Sequence, residues 1–169
     1  MVTLALILSF TSFTFAMETR ARDTKTGISV PQEIKDRKEQ LKNLFAEAKS
    51  IREKLKAIKG EVKERVAQIK DTFANMSGEE KAEAKEKLKA LKAVIEADRL
   101  EIKVIRSQLK TMTEQMKVYR VQLKEAMGAK DYTKVSAILD SMIKLKTEKN
   151  TKLNQLMELK KNMIEKIKI

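Results

Sequence analysis

The sequence predicts an all-α fold, an elongated antiparallel bundle of three long helices with coiled-coil character. Three observations lead there. Apolar residues recur at spacings of three and four through most of the chain. Four Gly and one Pro leave few interruptions, and 36% of residues are charged while 4% are aromatic. That balance belongs to long helices rather than to a compact mixed fold.

The first 16 residues, MVTLALILSFTSFTFA, carry no charge, and their apolar run is shorter than the roughly 20 residues that span a bilayer as a helix. Small Thr14 and Ala16 suit a cleavage site, so residues 1–16 read as a secretory signal peptide, although no Lys or Arg precedes the apolar run. A buried N-terminal helix or strand is the other reading. Residues 17–30, METRARDTKTGISV, are polar and aperiodic and read as a flexible leader. Residues 31–169 form the helical domain.

Pro31 suits a first helical turn, with Glu33 and Asp36 near the positive dipole end. Leu41, Leu44, Ala48, Ile51, Leu55, Ile58, Val62, Val66, Ile69, Phe73 and Met76 then form one seam of a helix over about 31–75. Successive spacings of four at Ile58, Val62 and Val66 insert a stutter that relaxes a left-handed supercoil. Gly60 beside it marks either a bend or a close helix contact.

MSGEEK ends that helix, and Ser77 with Glu80 has the spacing of a capping box for a helix over 78–127. Its seam runs through Leu88, Leu91, Ile95, Ile102, Ile105, Leu109, Met112, Met116, Tyr119, Leu123 and Ala126. Asp98 falls on the seam itself, as a register-setting residue paired with a Lys or Arg of a neighbouring helix or as a contact for a partner. Gly128 is read as the stop and Asp131 as the next N-cap, opening a helix over 131–168. That helix uses Val135, Ile138, Met142, Leu145, Leu153, Leu156, Leu159, Met163 and Ile167, with a gap in the seam at KTEKNTK. Short connections make neighbouring helices antiparallel, and the bundle is open to pairing into a dimer.

Function classes narrow by composition. With no His and no Cys, the commonest general acid-base and thiol nucleophiles and the ordinary zinc ligands are missing, so the reading is not an enzyme, with no cofactor and no metal. Glu79, Glu80, Glu83 and Glu86 alternate with Lys81, Lys85 and Lys87, the pattern of a solvated face of ion pairs. The net charge is +13, spread along the chain, which favours acidic partners: unfolded acidic proteins, anionic envelope polymer or lipid. Nucleic acid is disfavoured, because Phe45, Phe73, Tyr119 and Tyr132 sit on seams or beside caps rather than forming a stacking platform. No long apolar segment follows the signal peptide, so no transmembrane segment is expected.

Two features point toward protein binding. Leu100, Val104 and Val118 lie opposite Leu109, away from the main seam, with Lys103, Lys110 and Lys117 nearby. Either another helix or a second subunit covers them, or they are an exposed client-binding patch. Met112, Met116, Met127, Met142, Met157 and Met163 concentrate in the last two helices, either as core filling or as an adaptable surface.

GAKDYTKVSAILDSMIKLKTEKNTKLNQLMELKKNMIEKI resembles the last helix of the Spy/CpxP family of periplasmic proteins, with its D-[FY]-x-K-V-x-A start. MSGEEK is similar to a degenerate copy of that family's L-T-x-x-Q motif, with Met76, Ser77 and Glu80 in the Leu, Thr and Gln places. The resemblance covers about residues 76–167. It implies a cradle-shaped all-helical dimer acting as an ATP-independent chaperone or envelope-stress factor. A second L-T-x-x-Q is missing, and the long first helix has no counterpart in the family. The expectation is an exported, non-enzymatic client-binding protein of the periplasm or cell surface. Its alternative is a structural or adhesive spacer bound to anionic polymer or membrane surface through distributed lysines.

Overall fold

The computed structural model describes residues 29–167. The expected signal peptide and all but the last two residues of the expected leader lie outside them, as does Lys168. Among the described residues there are three helices, α1 (Gln32–Asn75), α2 (Gly78–Gly128) and α3 (Tyr132–Lys166), and no strand. No helix among them is long and apolar enough to cross a membrane.

Each boundary has a local cause. Pro31 caps α1 rather than joining its first turn, and Val30, at the end of the expected leader, packs against the core. Ser77 and Glu80 form the expected capping box: the Glu80 amide donates to Ser77 Oγ (3.4 Å) and the Ser77 amide to Glu80 Oε2 (2.7 Å). At the second turn the expectation needs correcting, because Gly128 is the last residue of α2 and Lys130 takes the left-handed conformation at φ 56°. Asp131 N–H donates to the Ala126 carbonyl (3.0 Å) and Lys130 N–H to that of Met127 (3.2 Å), the bond pair of a Schellman motif. Asp131 then caps α3, accepting from the Lys134 amide at 3.0 Å. Helix α3 ends at Lys166, two residues short of the expected 168.

The seams face inward as their spacing predicts, largely buried where α3 lies against them and half-buried at the far ends of α1 and α2, and the three helices do not share the core equally. Helix α3 packs along both α1 and α2, whereas α1 and α2 make little direct contact. α3 therefore buries a wider arc than one stripe, including Leu139 at 0% exposure and Ile164, which the seam omits. One apolar cluster joins Ile34, Leu41, Met112, Met116 and Val135 to Leu145; a second joins Ala48, Ile51, Leu55, Ile102, Ile105, Leu153 and Leu156. Gly60 has open space where a Cβ would stand, which removes the close-contact reading. Asp98 pairs across the bundle with Lys166 Nζ at 2.7 Å, as a register-setting residue would.

Candidate functional site

The predicted binding face lies on the side of α2 turned away from the core. Leu100, Val104 and Val118 are 58%, 55% and 54% exposed, and Val121 adds a fourth apolar side chain at 59%. The reading in which α3 covers them is thus excluded. The patch is not continuous, however. Leu100 with Val104 and Val118 with Val121 are two spots separated by about 21 Å of helix, and exposed Ser107 and Thr111 stand between them. Lys103, Lys110 and Lys117 are all exposed and repeat every seven residues, so they form a row on one flank rather than a ring. Lys117 also pairs with Glu114 at 3.0 Å, which reduces its pull on a partner.

The methionines do not contribute to this face. Met112, Met116 and Met142 are buried, and Met127, Met157 and Met163 are half-buried, which fits core filling, the first of the two readings, better than an adaptable surface.

The gap at KTEKNTK conceals the feature that sequence reading missed. Because α3 lies between two helices, Lys146 (2% exposed), Lys149 and Asn150 are buried, in a polar layer between the two apolar clusters. Lys146 Nζ lies 4.4 Å from the centroid of the Phe45 ring, and the Arg120 guanidinium lies 5.5 Å from the same ring. Lys149 Nζ donates to Thr113 Oγ1 on α2, and that hydroxyl donates to the Leu109 carbonyl at 2.7 Å. Asn150 Nδ2 donates to the Leu44 carbonyl (3.0 Å) and to Glu47 Oε2 (2.8 Å) on α1, while its Oδ1 is buried without a hydrogen-bond partner. Adjacent residues of α3 thus tie it to both neighbours, which fixes axial register as a lone polar core position does in a coiled coil.

The layer is electrostatically unbalanced. Burial first, then Arg52, Lys149 and Arg120, push the Lys146 ammonium down to about 7, against a weaker opposing pull from Glu47. Burial, Arg52 and Arg120 bring Lys149 to about 8, opposed by Glu114. Further along α3, burial with Arg106 and Lys59 brings Lys160 to about 8. A near-neutral amine is a chemical nucleophile, but at 2% exposure Lys146 is closed to any substrate. The layer serves as a register device whose stability depends on protonation. Among the described residues no group of three or more His, Cys, Asp or Glu side chains comes together that could hold a metal ion.

Comparison with known families, curated proteins and solved structures returns no match for this chain. The resemblance to the Spy/CpxP family therefore rests on its short motifs alone.

Proposed function

We propose that the chain is a non-enzymatic, ATP-independent chaperone or client-binding protein of an exported, extracytoplasmic compartment. The observation that carries the reading is the outward face of α2, where Leu100, Val104 and Val118 stay more than half exposed beside a row of lysines. An extended client segment of about six residues covers the distance between the two apolar spots, at about 3.3 Å per residue. Lysines attract an acidic unfolded chain over roughly a Debye length of about 8 Å, and the apolar spots hold it weakly. The resemblance of MSGEEK and of the α3 sequence to the Spy/CpxP motifs points the same way.

The test is suppression of aggregation of a chemically unfolded acidic protein, without ATP, by the full chain and by a Leu100→Ser, Val104→Ser, Val118→Ser variant. Protection that persists at moderate salt and drops in the variant, at unchanged helicity, is the expected result. Equal protection by both proteins would remove the face from the mechanism. A spacer attached to anionic polymer or membrane surface is the second reading, favoured by the exposed row Lys103, Lys110 and Lys117. It predicts binding to anionic vesicles or wall polymer that vanishes in high salt and ignores the apolar changes.

A further inference from the structure

Helix α3 reaches only part of the way along the other two. Near its end Lys166 pairs with Asp98 at 2.7 Å, and Arg65 donates to the Ile164 carbonyl at 3.5 Å. From about that level outward, α1 and α2 continue as a two-helix tip, residues 61–100, whose base still touches the end of α3 at Arg65 and Asp98. Their seams continue too, but without a third helix Ile69 and Phe73 on α1, Met76 just after it, and Leu88, Leu91 and Ile95 on α2 stay only half-buried. The corresponding positions further back, such as Leu55 (3%) and Ile105 (4%), are closed. A cleft of 610 Å³ opens between the two helices, bordered at its inner end by Ile167 just after α3 and reaching from Glu61 and Arg65 to Phe73, Met76 and Leu88.

Charge distinguishes the same segment. Residues 61–100 hold nine Lys or Arg and nine Asp or Glu, a net charge of zero in a chain of +13. The other described residues, 29–60 and 101–167, carry 24 basic and 13 acidic side chains, a net +11. An acidic client is drawn to that body and not to a neutral tip. A second copy of the chain meets repulsion everywhere except at the tip.

We infer that the tip is a self-association surface, in which two copies interleave residues 61–100 about a two-fold axis into a local four-helix bundle. Each half-open seam then covers the other, and lysines and glutamates interleaved on both helices face their counterparts on the other copy. The two basic bodies project in opposite directions. One tip length, about 22 Å along α1 and about 34 Å along α2, keeps them several Debye lengths of about 8 Å apart. This inference does not depend on the client-binding reading.

The test is sedimentation equilibrium of the full chain from micromolar to millimolar concentration. A dimer is expected. Glu64→Lys with Glu86→Lys, both exposed, reverses two charges and takes the tip from zero to +4; it should weaken the dimer about tenfold or more at low salt, equivalent to about 1.4 kcal/mol, with recovery at high salt. Phe73→Ser should weaken it at any salt, with circular dichroism reporting that the helices remain. A Val104→Ser, Val118→Ser variant, both positions outside residues 61–100, should dimerise like the parent, which separates this surface from the client face. A monomer throughout the range, or a dimer indifferent to both tip variants, would overturn the inference.

Discussion

Replacing Lys146 with methionine should make the protein more stable at neutral pH, although the substitution deletes a buried side-chain contact. In the unfolded chain the ammonium holds its proton up to its ordinary value of 10.5, whereas in the bundle it loses it near 7. The folded state therefore binds fewer protons across that interval, and stability rises with pH from about 7 towards 10.5; below 7 both states are charged and the destabilisation is at its full, constant value. At about 1.4 kcal/mol per unit, the shift from 10.5 to about 7 sets an upper bound of about 5 kcal/mol. Structural relaxation and water access reduce that to about half, and losing the cation over Phe45 removes about 1 kcal/mol more. Methionine keeps the apolar stem, so the net gain is about 1–2 kcal/mol, or about 2–8 °C in Tm. The assay is thermal and urea unfolding of both proteins between pH 6 and about 10. The parent should gain stability with pH, and the variant should show a shallower slope, not a flat one, because Lys149 and Lys160 still titrate near 8. If the variant is less stable by more than about 1 kcal/mol and the parent is indifferent to pH above 7, then Lys146 is a paired, stabilising cation and the reasoning fails.

Other outcomes follow from the turns and the core. Lys130→Gly should stabilise by about 0.5–1 kcal/mol in urea unfolding, since a lysine now sits at φ 56°, where glycine carries no steric penalty. Gly60→Ala should add about 1 kcal/mol, because it raises helix propensity into open space; a loss would mean that the local helix geometry requires glycine. Leu139→Ala should cost about 2–5 kcal/mol by the same measurement, as the side chain is 0% exposed against the first apolar cluster.

Where a structural feature depends on a few neighbouring residues, the sequence was enough. The capping box of Ser77 and Glu80, the Asp131 cap and the three seams are local patterns, and each stands where its spacing placed it. What failed to show depends on which helix lies in the middle. KTEKNTK looks like a gap because lysine counts as polar, yet a long apolar stem with an ammonium against Phe45 can be buried when helices flank it on both sides. Leu139 was missed for the same reason, since a single stripe describes a helix with one neighbour. Gly128 reads as the stop on propensity, whereas a complete Schellman bond pair places the left-handed residue at Lys130. The candidate face was half legible: spacing put Leu100, Val104 and Val118 opposite the seam, but only the arrangement of α3 leaves them uncovered in a single chain. The neutral tip is not evident from a net charge of +13 spread along the chain, because it joins the end of one helix to the start of the next.

The central position of α3 also bears on the order of folding. Since α1 and α2 make little direct contact, their apolar seams find partners chiefly on the helix that is synthesised last. The ties are distant in sequence: Arg37 to Asp140 spans 103 residues and Leu44 to Asn150 spans 106. A growing chain therefore cannot close its core on the first two helices, however well their turn is capped, and the cooperative step waits for α3. Truncation before Tyr132 should leave a chain with helical propensity and no tertiary structure, and a ribosome-bound chain should remain open to proteases until α3 has emerged.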